Sequence, residues 1–317
     1  VLITDGRYGE QAERQLAEAG CRAEVRVGRS AAEIDALVTA AIADADRVGF
    51  ESAHVSHQRF VLLDRQLPGR LVPTVGVVER SRRTKDDAEI ARIELACRIA
   101  DEALAEVAPT LGDGRTEAEV RNELERRMRE LGASGPSYET IVATGPEHAP
   151  LPHHRPTDVR IERGHTVVID VGALVDGYHS DMTRTFVVGE PTPLQRQVYD
   201  VVLAAQVAGV AAVRPGLDTR DLDSVCLDAI TEAGFGPWFL HGTGHGVGLL
   251  IHEDPFVNAA GGWVLQEGDV VTVEPGVYRD DFGGVRVEDL VVVTSAGSRV
   301  LTRSPKDSPC LPSAPTT

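Results

Sequence analysis

The chain has little of several things, and each shortage excludes something. Cysteine is scarce: Cys21, Cys97, Cys226 and Cys310 are the only four in 317 residues, and no two form a CxxC pair. A cysteine-rich zinc site and a disulfide scaffold are therefore excluded, and free thiols in a reducing cytosol are the expectation. Cys97 falls in a helical pattern and should pack in the core. Long apolar runs are missing, none approaching the roughly 20 residues of a membrane helix, and no secretory signal is visible. The chain opens at Val1, without a Met, inside a strand-like VLITD, so further N-terminal sequence is expected to precede it. Basic residues are in deficit, 32 against 49 acidic, for a net charge of −17. That balance argues against a nucleic-acid partner or an anionic membrane. The glycine-rich HGTGHGVG is not followed by GKS or GKT, so it is no phosphate loop. No GxSxG elbow occurs, and no cysteine sits as a nucleophile would.

What is present suits a soluble globular protein of two domains. The first stretch alternates strand and helix signals. VLITD, RAEVRV, RVGFE and LVPTVGVVE read as strands. Between them, residues 8–19, SAAEIDALVTAAIAD capped by Ser30, and HQRFVLLDRQL read as helices. The charged RSRRTKDD over residues 80–87 looks like a break between domains. Helices are then expected over about 86–108, from Thr116 with Glu119 completing a capping box, over 194–213, and over 219–233. Between the helices lie two acidic hairpins. VVIDVGAL turns at Asp176-Gly177 into YHSDMTRTF, and VVTVEPGVY turns near Asp281 into VRVEDLVVV. A helix pair with an acidic hairpin thus occurs twice, as in two similar halves facing one site.

The hairpins carry the chemistry. Asp170 and Asp181 should come side by side across the first, and Glu274 and Glu288 across the second. Opposed carboxylates destabilise a sheet unless a counter-charge joins them. Adding His245 gives four carboxylates and one imidazole, a donor set for Mn²⁺, Co²⁺, Fe²⁺ or Zn²⁺. Two ions roughly 3.5–4 Å apart could share Asp181 and Glu288, lower the pKa of a trapped water toward about 7 and polarise a carbonyl. His153 in LPHHRP, His241 and His252 cluster near these motifs and suit substrate contact or proton transfer. His154 should point away from His153 on an extended chain. It receives no role, nor do His54, His57, His148, His165 and His179.

LPHHRPT, VVIDVGALVDGYHSDMTRTFVVGEPT, HGTGHGVGLLIHEDP, VVTVEPGVY and GGVRVEDLVVVT together resemble the pita-bread metallopeptidases. Within that group the likeness is to the Xaa-Pro dipeptidase (prolidase) and Xaa-Pro aminopeptidase branch. It runs in order over roughly residues 86–305, and residues 1–80 more loosely resemble that branch's N-terminal domain. The resemblance implies an α+β fold: a pita-bread catalytic domain over 86–317, and a smaller N-terminal creatinase-like α/β domain over 1–80, shortened at its start. It implies that Asp170, Asp181 and Glu288 bind one metal ion, and Asp181, His245, Glu274 and Glu288 the other. Glu274 would also be the acid/base. His153 would contact substrate and assist proton transfer, and His252 would lie near the scissile carbonyl. His241, Arg286 and Tyr278 would line the pocket for the proline or the substrate carboxylate. Two divalent ions per chain follow, Mn²⁺ ahead of Co²⁺, Zn²⁺ or Fe²⁺, with a proline-containing peptide as substrate, a cytoplasmic location and a homodimer. The alternatives are a methionine aminopeptidase-like enzyme or a metal-free creatinase-type amidinohydrolase on the same core, or a non-catalytic binding module. The N-terminal domain opposes the first, and the complete ligand set opposes the other two.

Overall fold

The computed structural model describes residues 1–312. The chain divides into two compact units, Val1–Val78 and Glu79–Thr317. In the first, strands Leu2–Asp5 and Val25–Gly28 pair in parallel, as do Val48–Glu51 and Leu71–Thr74. Parallel neighbours need crossover helices, and Gly9–Glu18 and His57–Gln66 take those places. Ser30 caps Ala31–Ala41 by accepting from the Glu33 amide. The expected last strand is shorter than the apolar run. Gly76 turns left-handed (φ +66°) after Thr74, and Val77–Arg83 is a helix.

The charged RSRRTKDD begins in this helix, and two of its charges are not at the surface. Arg83 and Lys85 are buried within the second unit. The Arg83 guanidinium donates to both carboxylate oxygens of Asp269, at 3.0 and 2.6 Å, and Lys85 Nζ donates to Glu253 Oε1 at 2.6 Å. The charges were visible in the sequence, but their partners lie more than 160 residues away.

The second unit is built on its helices and antiparallel strands. Asp87–Val107 buries Ile93, Ala96, Cys97 and Ala100 at helical spacing. Glu117–Glu130 starts on the expected capping box, in which Thr116 accepts from the Glu119 amide and Glu119 accepts from the Thr116 amide. Thr116→Ala should remove one half of that box and cost about 1 kcal/mol, readable as a lower midpoint in chemical denaturation. Pro193–Ala212 and Thr219–Glu232 form the second helix pair. A three-stranded sheet carries the first acidic hairpin, with Thr166–Asp170 between Ile141–Thr144 and Thr183–Val187. A five-stranded sheet carries the second, where Val270–Val273 pairs with Asp289–Thr294. All four cysteines are free. Among the described residues no helix is long and apolar enough to cross a membrane.

Candidate metal centre and active site

The first hairpin turns where expected. Asp176 and Gly177 both have positive φ, +50° and +84°, as a two-residue type I′ turn requires. One register runs through the whole hairpin, from Val175 opposite Tyr178 to Asp170 opposite Thr183. Asp170 and Asp181 are therefore diagonal neighbours, not the directly opposed pair that the spacing suggested. Tyr138 bridges them, its hydroxyl donating to Asp170 and to Asp181 Oδ1. The second hairpin turns at Asp281 (φ +70°). Its ladders pair Val273 with Asp289 and Gly276 with Arg286, so the same register sets Glu274 opposite Glu288. The two hairpins are stitched together at Thr183, whose carbonyl accepts from the Glu288 amide at 3.1 Å and whose hydroxyl donates to Glu288 Oε2 at 2.7 Å.

His245 enters from the strand Gly244–Gly246. A Cβ on Gly244 would lie 2.2 Å from the Thr272 carbonyl oxygen, so this glycine lets the two strands close up. The glycines of HGTGHGVG thus serve strand contact as well as approach to the cavity. His245 Nδ1 lies 3.0 Å from the Gly246 carbonyl and can only donate there, which leaves Nε2 facing Glu274 Oε1 at 3.3 Å and Asp181 Oδ2 at 3.5 Å.

Donor atoms of Asp181, His245 and Glu288 lie within 4.8 Å of one another, and all three residues are buried. Asp170 joins them through Tyr138, and Glu274 through His245. Burial first, and then the charges of Asp170 and Glu274, push the Asp181 carboxyl well above the usual carboxylate range. Burial, followed by Asp181 and Glu274, does the same to Glu288. Glu274 goes the other way, to about 2: burial opposes, but the hydrogen bond and charge of His245 outweigh it. Burial also opposes the charged form of His245, yet Glu274 raises it overall. Glu288 Oε1 is buried without a hydrogen-bond partner, and a buried carboxylate oxygen without a partner is costly. A cation facing that oxygen would supply the missing partner, so this donor set fits divalent metal.

A cavity of about 450 Å³ opens onto the cluster. Asp170, Asp181, His245 and Glu274 line it, as do His153, His241, His252 and Arg286. Burial, then the neighbouring His245, holds His252 below the ordinary imidazole range. Burial also lowers His241, whose Nδ1 donates to the Gly242 carbonyl and whose Nε2 accepts from the Tyr278 hydroxyl at 2.9 Å. Tyr278 does not line the cavity. Its oxygen accepts from Arg286 Nη1 at 2.8 Å, so it sits behind two cavity residues and can touch substrate only through them. Arg286 donates to Asp170 Oδ2 at 2.6 Å and to Thr183 Oγ1 at 2.9 Å.

Sequence reasoning missed Tyr138 and Thr183. Neither carries a charge or a spacing signal. Tyr138 lies in GPSYETIV, where nothing marks it before the chain folds.

Residues 91–295 match metallopeptidase family M24, and residues 1–84 match the creatinase/prolidase N-terminal domain. The chain belongs to metallopeptidase family M24, with the creatinase-type N-terminal domain and pita-bread fold that its motifs implied. The Xaa-Pro dipeptidase of Pyrococcus furiosus is 45% identical over 231 residues, covering 73% of this chain and 66% of that protein; the matched part is thus just under two thirds of that relative. A solved Xaa-Pro dipeptidase from Bacillus anthracis superposes with a TM-score of 0.91 at 40% identity, covering 98% of this chain and 86% of that one. An X-Pro aminopeptidase from Thermotoga maritima gives 0.87 at 33%, covering 97% and 85%.

Proposed function

We propose that the protein is a dinuclear-metal exopeptidase that hydrolyses the amide bond between a residue and a following proline. The observation that carries this is the partnerless Glu288 Oε1, clustered with Asp181 and His245, which with Asp170 and Glu274 line a cavity. In this reading Asp170, Asp181 and Glu288 hold one ion, and Asp181, His245, Glu274 and Glu288 hold the other. Bound there, divalent ions would acidify a water and polarise the scissile carbonyl. Hard carboxylate donors favour Mn²⁺, with Co²⁺, Zn²⁺ and Fe²⁺ as alternatives.

The chain's own residues do the rest. An X-Pro bond is a tertiary amide without an N–H, so the leaving prolyl nitrogen must be given a proton. Glu274, ionised at neutral pH, takes a proton from the attacking water and returns it to that nitrogen. His153 and His252 contact the substrate around the scissile carbonyl. Arg286, its fork fixed by Asp170, Thr183 and Tyr278, faces a substrate carboxylate, and neutral His241 flanks the proline ring. Four free thiols suit a reducing cytoplasm, and a closed two-fold dimer is part of the reading.

The test is a rate comparison of Ala-Pro, Ala-Pro-Ala and Met-Ala-Ser on metal-free protein supplied with Mn²⁺, Co²⁺ or Zn²⁺. The X-Pro peptides should be cleaved at least about 10²-fold faster than Met-Ala-Ser. Faster release of Met would reverse the ranking in favour of a methionine aminopeptidase. The ratio of Ala-Pro to Ala-Pro-Ala separates dipeptidase from aminopeptidase.

A further inference from the structure

A second cluster of titratable groups lies outside the metal centre, among residues to which the sequence assigned no role. Glu117, at the start of the helix Glu117–Glu130, is fully buried. Its Oε1 accepts from the Thr144 amide and from His148 Nδ1, both at 2.9 Å. Its Oε2 accepts from His154 Nε2 at 2.9 Å and from the Thr157 amide and hydroxyl, both at 3.0 Å. The two imidazoles stack with centroids 4.1 Å apart. Three side chains of this kind could in principle hold a metal. Five donors on a carboxylate with about four lone-pair sites leave no room for one.

The cluster grips one segment from both ends. His148 closes the short helix Gly145–His148, and the Leu151 amide donates back to its carbonyl. Beyond His154, the Thr157 and Val159 carbonyls accept from the Ala118 and Glu117 amides. Between these anchors lies His153, exposed and lining the cavity, while its neighbour His154, which also borders the cavity, is buried on Glu117. Burial opposes the charge on Glu117, yet His154, Thr157, Thr144 and His148 together hold its carboxyl below the usual range. The anion is thus kept where it can accept from every side.

We propose that Glu117 is a positioning residue for His153: through His148, His154 and Thr157 it fixes the segment that presents the His153 imidazole to the cavity. The proposal rests on the role given to His153 above. Glu117→Gln turns one acceptor oxygen into a donor that faces donors, so the grip loosens on one side. A misplacement of about 1 Å can cost on the order of 10²-fold in rate.

The experiment measures kcat and KM for Ala-Pro, bound Mn²⁺ and thermal midpoint in Glu117→Gln, His153→Ala and the double variant. His153→Ala should lower kcat by about 10²-fold. Glu117→Gln should lower it by at least about 10-fold, with KM and metal content near wild type, and the double variant should be no slower than His153→Ala. An additive loss in the double variant, an unchanged kcat in Glu117→Gln, or the loss of a bound ion from it overturns the proposal while leaving the peptidase reading in place. An unimpaired His153→Ala removes the role of His153, and the proposal with it. Should Glu117→Gln fail to fold, His154→Ala and His154→Gln decide. The alanine should lose rate, and the glutamine, whose amide can replace Nε2–H, should restore it; equal rates in the two overturn the proposal.

Discussion

Glu288→Gln is expected to lower turnover of Ala-Pro by about 10³-fold or more and, at the same time, to stabilise the metal-free protein. The two effects have one cause. Glu288 is 1% exposed, its Oε2 is held by Thr183, and its Oε1 has no partner. In the metal-free fold this carboxyl is forced up by burial and by Asp181 and Glu274. A glutamine keeps an acceptor for Thr183 and offers an N–H₂ to those acids at every pH, without the proton uptake by which the carboxyl escapes their repulsion. With ions bound the balance inverts. On the proposed dinuclear reading a ligand shared by both ions would be replaced by a neutral amide, and carbonyl polarisation worth several kcal/mol would be lost, which is about 10³-fold in rate. The thermal gain on adding Mn²⁺ should shrink in parallel, because ligand-linked stability follows the ratio of ligand concentration to Kd. Near wild-type turnover and metal content in this variant would falsify the assignment of Glu288 as a ligand.

Stripping the metal should also change how stability depends on pH. In the metal-free fold Asp181 and Glu288 titrate well above their ordinary 3.8 and 4.5. As pH rises past about 4 the unfolded chain releases those protons first while the folded chain keeps them. The folded state then binds more protons, and stability falls with rising pH until the folded values are passed. His245 acts in the same direction. Its folded value is raised above 6.5, so its contribution is full below 6.5 and is lost as pH rises through the folded value. Glu274, lowered to about 2, contributes above its ordinary 4.5 and is lost only toward pH 2, so it is flat from pH 5 to 8. Thermal midpoints in EDTA should therefore decline from pH 5 to 8. With excess Mn²⁺ the curves should separate increasingly as pH rises, because the ligands must shed protons to bind. EDTA should also abolish activity, and Mn²⁺ should restore it. Parallel curves with and without metal would show that these groups do not converge on an ion.

The fold was legible where local chemistry decides it. The Asp176-Gly177 turn, the Thr116–Glu119 box and the Ser30 cap are short-range features, and each is realised. The clustered acids were legible because they repeat, two to a hairpin, in segments where an unpaired charge has no structural excuse. Spacing about a turn did not settle which carboxylates oppose which. Register did, placing Glu274 opposite Glu288 but setting Asp181 diagonal to Asp170. The partners of buried charges stayed hidden. Arg83 and Lys85 lay within a charged break between domains, and Glu117 drew no reading at all. The side chains that pair with them lie up to 186 positions away, and no periodicity encodes such a meeting. Tyr138 shows the same limit for an uncharged residue.

The stitching of the two hairpins through Thr183 and Glu288 bears on the order in which this chain matures. The contact spans 105 residues, and closing so long a loop costs chain entropy and slows folding. On a ribosome, Asp170 and Asp181 emerge well before Glu274 and Glu288 exist. The early hairpin must wait with its acids facing water, held by Tyr138 at most. On the proposed metal reading, the complete ligand set would come together only when the second half docks.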